Sequence, residues 1–217
     1  MKRDAPAAAR NLEAIATVLA TVLAGRSGHL LEIGSGTGQH AAGIAPRLPA
    51  LAWWPTDPDP DQRASIDARV RETACPTLRQ AGALDAARDW PLGAEAAPPT
   101  PLAAIFSANV IHISDWAVTE GILRNAGRHL AADGVLILYG PFARGGRPMA
   151  PSNADFDASL RSRNPAWGVR DLDAVEALAA TSGLRLARTI EMPANNLINL
   201  FERDPASPGR AAEETTP

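Results

Sequence analysis

The residues best placed to do chemistry lie in one glycine-rich turn, Glu32 to Gly38, where three glycines alternate with small residues after an apolar run. Glycine accepts positive φ and lets a ligand lie against the backbone, where a Cβ atom would collide with it. A carboxylate beside the turn favours a ligand that carries positive charge. The turn therefore predicts a nucleotide-type binding site, with a turn of purely structural use as the alternative. The residues of this turn that we expect to contact the ligand are Glu32, Gly34, Ser35, Gly36 and Gly38.

The spacing of these glycines disfavours two common nucleotide-binding loops. A dinucleotide fingerprint, G-x-G-x-x-G, would need its third glycine where Gln39 stands. A phosphate-binding P-loop would need a lysine after its last glycine, and none follows here. The pattern present is E-x-G-x-G-x-G, which leaves open a loop for another nucleotide.

Acidic residues follow two further runs that are predicted to be strands. Asp57 lies about twenty residues beyond the glycine turn, where a nucleotide-binding βαβ unit places a carboxylate for the ribose hydroxyls. Asp59 is its rival, and at least one acid of the Asp57–Asp61 stretch is expected only to cap the next helix. Asp85 ends a weaker third run and is interpreted either as a contact for an adenine amino group or as a solvated loop acid.

Asn109, His112 and Tyr139 follow the fourth and fifth apolar runs. In open α/β sheets the ligand lies outside the carboxyl ends of the strands, so these side chains should converge with the glycine turn. His112 is the candidate general base, because only histidine titrates near neutrality without perturbation. All three are candidate catalytic residues. Their structural alternatives are a turn cap for Asn109, a satisfied core histidine for His112 and a core-filling aromatic for Tyr139.

Alternating helices and strands must position these residues. Apolar periodicity predicts a first helix from about Pro6 to Ala24, a buried fifth strand over 135–139 and a final antiparallel pair over 184–191 and 197–203. The fold class is therefore α/β, a doubly wound sheet of seven strands, mostly parallel with one antiparallel strand, and helices on both faces. The expected strand order is 3-2-1-4-5-7-6.

The chain is predicted to form a single domain over residues 1–203, followed by a disordered tail over 204–217. Between the fifth strand and the next helix lies an irregular segment, about residues 140–170, that includes one short predicted helix, Asp155 to about Arg163. A compact α/β domain rarely spends so many residues on one connection without a use for them. We therefore interpret this segment as a cap on the substrate side of the site.

Composition and charge restrict the class of protein further. A chain of 217 residues suits one α/β domain, and a net charge of −3 without a basic run argues against nucleic acid as a partner. A small-molecule substrate becomes the default. Cys75 is the only cysteine, which suits a reducing cytoplasm, and no histidine or cysteine pair has metal-ligand spacing. We predict no metal, no membrane span and no export signal, and the sequence leaves the oligomeric state open.

Eight blocks of the sequence are more specific than the glycine turn alone. They are Ala5 to Asn11, Leu31 to Ala41, Asp57 to Asp59, Asn109 to Trp116, Tyr139 to Phe142, Ser152 to Asp157, Trp167 to Asp171 and Met192 to Asn196. Together they closely resemble one protein family, methyltransferase-like 26, also known as domain-of-unknown-function 938, over about residues 5–203. One departure is Ala9, because an acid is expected directly before Arg10 in the family.

The resemblance implies a class I methyltransferase fold with S-adenosyl-L-methionine as the cofactor. In such proteins the glycine turn holds the methionine end of the cofactor, and Glu32 suits its ammonium and sulfonium charges. The cofactor-binding residues implied are Glu32, Gly34, Ser35, Gly36, Gly38, Asp57, Asp85 and Asn109.

The family's polar blocks also imply a pocket for a polar small-molecule substrate. Methyl transfer from a sulfonium relies largely on positioning, and a base is needed only when the acceptor must lose a proton. A non-catalytic cofactor-binding or interaction module is the alternative, and an NAD-dependent oxidoreductase is disfavoured by Gln39. The substrate-binding residues implied are Arg10, Asn11, Ser152, Asn153, Trp167, Arg170, Asn195 and Asn196.

Overall fold

Helices and strands alternate along most of the chain in a computed structural model that describes residues 1–93, 97–148 and 150–206. None of the helices in these ranges has the length and hydropathy needed to cross a membrane. The helices are α1 (Pro6–Val22), α2 (Gln39–Ile44), α3 (Pro60–Thr73), α4 (Trp116–His129), α5 (Pro151–Arg163) and α6 (Leu172–Thr181). The strands are β1 (Gly28–Ile33), β2 (Leu51–Thr56), β3 (Leu102–Ala108), β4 (Leu130–Gly140), β5 (Phe142–Arg144), β6 (Arg147–Pro148), β7 (Arg170–Asp171), β8 (Leu184–Met192) and β9 (Asn196–Arg203).

The central sheet has six strands in the order β2-β1-β3-β4-β9-β8. Strands β2, β1, β3 and β4 pair in parallel, while β9 runs antiparallel to both β4 and β8. The predicted α/β fold with a mixed sheet is therefore confirmed. The prediction of seven strands is wrong, because the third strand of the expected order is missing.

The missing strand is reduced to two isolated bridges against the edge strand β2. Leu78 bridges Trp53, and Arg79 donates its N–H to the carbonyl of Trp53 at 2.9 Å. The next donor on β2 would be residue 55, which is a proline and has no N–H. Pairing resumes only where Gly82 donates to the carbonyl of Pro55 at 2.9 Å, one residue out of register with the first bridge. Pro55 thus interrupts the ladder that the sequence pattern predicted.

Two hydrophobic cores lie on opposite faces of the sheet. Alternate residues of β4 point to opposite sides, so Ile137 and Tyr139 pack toward α1 and α2 while Leu136 and Leu138 pack toward α4 and α6. Helix α3 packs beside α2. The glycine turn between β1 and α2 therefore lies at the carboxyl edge of the sheet. The helices on the α1 and α2 side of the sheet support it.

The segment after β4 forms a small second sheet and helix α5. The sheet has the order β6-β5-β7, with β5 antiparallel to β6 and parallel to β7. Helix α5 begins at Pro151, in the first turn, where a proline is tolerated, and so starts before the predicted position. The use of this segment as a substrate cap and the domain limits stay predictions. Of the predicted disordered tail, residues 207–217 lie outside the described residues.

Candidate functional site

The three glycines of the turn have different surroundings although all have positive φ, at 63°, 54° and 80°. A Cβ atom on Gly34 would lie 2.5 Å from Cγ2 of Val110, and one on Gly38 would lie 2.9 Å from Cα of Ile66. Among the residues that the structure describes, a Cβ atom on Gly36 would meet nothing within 4 Å beyond its chain neighbours. Gly34 and Gly38 are therefore needed for packing, whereas Gly36 borders open space that a ligand can occupy.

The end of β2 holds the glycine turn through side chains and backbone. Ser35 donates its N–H to the carbonyl of Thr56 at 2.8 Å and accepts the N–H of Thr56 on Oγ at 3.1 Å. Gly36 donates its N–H to Oδ2 of Asp57 at 2.9 Å, and Asp59 donates to Oδ1 at 3.0 Å. Burial raises the pKa of Asp57. Each carboxylate oxygen keeps capacity for another donor, such as a ligand hydroxyl.

The other candidate acids make local contacts. Asp59 is exposed and caps α3, with Oδ1 accepting the N–H of Asp61 at 2.8 Å, so the geometry favours Asp57 over Asp59 as a ribose contact. Asp85 is also exposed and stabilises its own turn, because it accepts the N–H of Ala87 at 3.0 Å and pairs with Arg88 at 3.1 Å. Its contacts fit the loop-acid alternative. Within the described ranges no three His, Cys, Asp or Glu side chains are grouped to hold a metal ion.

Glu32 is a buried carboxyl at the end of β1. Its Oε2 accepts the indole N–H of Trp53 at 2.8 Å, and burial raises its pKa to about 7. A cation placed nearby would favour the ionised form and reverse part of this shift. Trp53 was missed at the sequence level, yet two signals pointed to it. A buried indole N–H needs a partner, and pairing of Glu32 with Pro55 places Trp53 diagonally across from Glu32 on one face.

Asn109 and Tyr139 join the ends of β3 and β4. Asn109 has a φ of 63°, a conformation that asparagine tolerates better than most residues, and donates its N–H to the carbonyl of Tyr139 at 2.8 Å. The side chain of Tyr139 is buried on the α1 side of the sheet, and burial raises its pKa to about 12. At neutral pH its hydroxyl is therefore a hydrogen-bond donor rather than a base.

His112 lies fully buried in the turn after β3. Its Nδ1 accepts the N–H of Arg170 at 3.2 Å, so in the neutral ring Nε2 must carry the proton. Nε2 lies against Gly140, where a Cβ atom would approach it to 2.4 Å, and has no hydrogen-bond partner among the described residues. Burial, reinforced by the charge of Arg170, lowers the pKa to about 3. The prediction of a general base at His112 does not fit this environment.

Two of the candidate substrate residues, Trp167 and Arg170, lie beside His112 in the segment that leads into β7. The guanidinium of Arg170 donates to the backbone carbonyls of Ile111 at 2.8 Å and Ser114 at 2.6 Å. Arg163 lies 5.7 Å from the centroid of the half-buried Trp167 ring. Arg170 therefore ties this segment to the turn after β3, and its donors are largely used within the protein.

Ser152, Asn153, Asn195 and Asn196 come together where the start of α5 meets the turn between β8 and β9. The side chain of Asn153 donates to the carbonyl of Asn195 at 3.1 Å, and that of Asn195 donates to Oγ of Ser152 at 3.1 Å. Asn196 donates to the carbonyl of Pro193 at 3.1 Å. These bonds attach the predicted cap to the antiparallel end of the sheet.

Arg10 and Asn11 lie on α1, where Arg10 is exposed and Asn11 half-buried. The start of α1 is fixed beside the glycine turn, because Ala5 donates its N–H to Oε1 of Gln39 at 2.6 Å. The eight candidate substrate residues thus form three groups, on α1, at the α5 start with the β8–β9 turn, and next to His112. The contact made by Gln39 was not predicted. In the sequence, Gln39 was noted only because it replaces the third glycine of a dinucleotide fingerprint.

The fold is similar to that of class I methyltransferases, as comparison with solved structures shows. An O-methyltransferase family protein from Burkholderia thailandensis matches with a TM-score of 0.71 and 13% identity over 87% of this chain and 56% of that one. Mitomycin 7-O-methyltransferase MmcR matches with a TM-score of 0.67 and 21% identity, over 87% of this chain and 53% of that one. The O-methyltransferase NcsB1 from neocarzinostatin biosynthesis matches with a TM-score of 0.70 and 17% identity, over 91% of this chain and 54% of that one. The chain spans slightly more than half the length of each of these proteins.

The sequence family is narrower than this fold class. The model of the family described as "Protein of unknown function (DUF938)" matches residues 2–203. The chain therefore belongs to the DUF938 family.

Proposed function

We propose that this protein is an S-adenosylmethionine-dependent methyltransferase that acts on a polar small molecule. The observation that carries the proposal is the open space over Gly36, in a turn whose two flanking glycines are closed off by packing. Similar folds support the choice of cofactor, because NcsB1 was solved with S-adenosylmethionine and 2-hydroxy-5-methyl naphthoic acid and CalO1 with the demethylated product.

The residues around Gly36 suit the parts of this cofactor. The buried carboxyl of Glu32 favours the positive charges of its methionine end. Asp57 lies on the neighbouring strand end and holds the N–H of Gly36, so its remaining acceptor capacity is available to the ribose hydroxyls. Asn109 follows the next strand of the sheet. We leave Asp85 out of the proposed set because its carboxylate stabilises its own turn.

The protonation of His112 and Tyr139 restricts which atoms could accept the methyl group. When bound, the cofactor supplies a methyl group on a cationic sulfur that is already a good leaving group. His112 has no free lone pair in its neutral form and Tyr139 keeps its proton, so neither is suited to remove a proton from the acceptor. We infer that the acceptor atom is nucleophilic without a base, such as an ionised oxygen, a thiolate or an unprotonated amine. The chain's contribution is then positioning and exclusion of water.

Calorimetric titration of the purified protein tests the cofactor. We expect S-adenosylmethionine and S-adenosylhomocysteine each to bind at one site, and NAD to give no heat of binding. Binding of NAD alone would rule the proposal out. The Asp57→Ala variant should lose affinity for both cofactor forms, while Asp59→Ala should keep it because Asp59 only caps α3.

A non-catalytic cofactor-binding module is the second candidate, and the environment of His112 favours it. Such a module would bind the cofactor without transferring its methyl group. Incubation with methyl-labelled cofactor and mixtures of carboxylate, thiol and amine metabolites separates the two functions. Labelled product supports the enzyme, and tight binding without any labelled product supports the module.

Two finer attributions belong to this proposal. The specific likeness to methyltransferase-like 26 proteins rests on the sequence blocks around the site. A cytoplasmic location rests on the single cysteine, Cys75, which leaves no internal disulfide to form.

A further inference from the structure

A short segment before α1, Lys2 to Ala5, lies along α3. We call this segment the N-terminal arm. Arg3 donates its N–H to Oγ of Ser65 at 2.8 Å, and the guanidinium of Arg69 donates to the carbonyl of Arg3 at 2.6 Å. Arg69 also pairs with the carboxylate of Asp4 at 2.6 Å. Lys2 pairs with Glu72 and Arg3 with Asp61, also on α3, so the arm is attached to α3 by backbone groups as well as by three ion pairs.

The same two α3 side chains hold the glycine turn. Ser65 donates its hydroxyl to the carbonyl of Thr37 at 3.1 Å, and Nε of Arg69 donates to the same carbonyl at 2.9 Å. Thr37 lies between Gly36 and Gly38, so its peptide orientation is set from α3. Arg69 bonds the arm and the turn at once.

Gln39 makes a second connection between the arm and the turn. Its Oε1 accepts the N–H of Ala5 at 2.6 Å and the hydroxyl of Thr37 at 2.8 Å. Gln39 occupies the position where a dinucleotide fingerprint would have its third glycine. A glycine there would remove both bonds, so the side chain of Gln39 stabilises the turn.

We propose that Gln39 and Arg69 are positioning residues that couple the docked N-terminal arm to the shape of the glycine turn, and through it to cofactor affinity. Glycine-rich backbone loses more conformational freedom on ordering than any other. A turn that the arm already holds in shape therefore loses less conformational entropy when a ligand binds. The inference rests on the proposed cofactor site, but its structural half can be tested without any ligand.

The ion pairs alone do not account for this arrangement, because those of Lys2 and Arg3 are exposed on both sides and do not touch the glycine turn. Asp4 is mostly exposed, and an exposed ion pair contributes little to stability. Arg69 is only 14% exposed and makes its other bonds to two backbone carbonyls, one on the arm and one in the turn. The coupling therefore depends on the fork of Arg69 and on the acceptor of Gln39, with the hydroxyl of Ser65 as a third, weaker link between Arg3 and Thr37.

Two substitutions at Gln39 separate the acceptor from mere side-chain size. Gln39→Met removes the acceptor at similar size, and we expect it to weaken S-adenosylhomocysteine binding about tenfold. Gln39→Glu keeps an acceptor oxygen for both Ala5 and Thr37, and an acid is favoured at the start of α2, so we expect wild-type affinity. Equal losses in both variants would contradict the proposal.

Arg69→Lys and Glu13→Ala form a matched comparison. A lysine cannot span the arm and the turn with one ammonium, so Arg69→Lys should weaken binding severalfold. Glu13→Ala breaks an ion pair of the same length, 2.6 Å to Arg47, on neighbouring α1, without any contact to the turn. This control should bind as the wild type does. If Gln39→Met does not fold, Arg69→Lys carries the test.

Amide hydrogen exchange gives a readout that general destabilisation would not move. In the ligand-free protein, Gln39→Met and Arg69→Lys should speed exchange of the turn amides around Thr37 while the β4 amides exchange as in the wild type. By reciprocity, S-adenosylhomocysteine should slow exchange of the Arg3 and Ala5 amides in the wild type. Failure of the wild type to bind the cofactor would refute the proposed function alone. Wild-type exchange and affinity in both variants would overturn the coupling.

Discussion

Replacing Gly36 by alanine should weaken ligand binding much more than it lowers the stability of the fold. Gly36 has a φ of 54°, and a Cβ atom there would touch no atom of the described residues beyond its chain neighbours within 4 Å. The left-handed conformation costs a residue with a Cβ atom about 1 kcal/mol, which a folded domain of this size tolerates. The new methyl group would nevertheless project into the space proposed for the cofactor.

Two other glycines serve as controls for this substitution. Gly25 has a φ of 77° and equally open surroundings, but it lies between α1 and β1, at the opposite end of β1 from the glycine turn. Gly25→Ala should therefore cost the same backbone strain without affecting the site. Gly38→Ala would bring a Cβ atom to 2.9 Å from the backbone of Ile66, and the forced shift adds about 1 to 3 kcal/mol of destabilisation.

Urea unfolding and calorimetric titration with S-adenosylhomocysteine measure the two effects separately. Gly36→Ala and Gly25→Ala should lower the free energy of unfolding by similar amounts, about 1 kcal/mol. Only Gly36→Ala should weaken binding, by about tenfold or more, because its methyl group occupies ligand space. If Gly36→Ala bound the product as tightly as Gly25→Ala, the open space would not be the cofactor site.

Three further predictions concern titratable residues. Asp59→Ala should lower the free energy of unfolding by about 1 kcal/mol through loss of the α3 cap, measured by urea unfolding, while product affinity is unchanged. Because burial raises the pKa of Glu32 from 4.5 to about 7, the folded protein keeps a proton that the unfolded chain releases. The contribution of Glu32 to stability should therefore fall as pH rises from 4.5 through 7, so the free energy of unfolding of the wild type relative to Glu32→Gln should decrease over that range, because His112 acts alike in both proteins. Nitrogen NMR should show His112 neutral with its proton on Nε2 from pH 5 to 8, and a titration near 6.5 would contradict its burial.

The sequence was a good guide to the sheet because apolar periodicity and strand order are local or topological properties. Its failure at the third strand has a specific cause. Pro55 lies in a run that reads as a continuous strand, but its missing N–H matters only on the side where the third strand would pair. Which edge of β2 faces that partner cannot be read from β2 alone.

The site was less predictable, since burial and hydrogen bonding are set by distant segments. His112 has the residue type of a base, but the N–H of Arg170, 58 positions away in sequence, fixes its tautomer and its burial lowers its pKa. Arg69 was missed altogether, because it belongs to no motif and only the fold brings it to Thr37. The glycine turn and Asp57 were accessible because their spacing within one βαβ unit fixes their relative position.

A crystal structure with S-adenosylhomocysteine bound would show whether the space over Gly36 is the cofactor site. We expect the methionine end of the product over Gly36 and its ribose hydroxyls within hydrogen-bonding distance of Asp57. Density for the product elsewhere, for example in the cleft of about 350 Å³ between Trp54 and Pro98, would contradict this expectation.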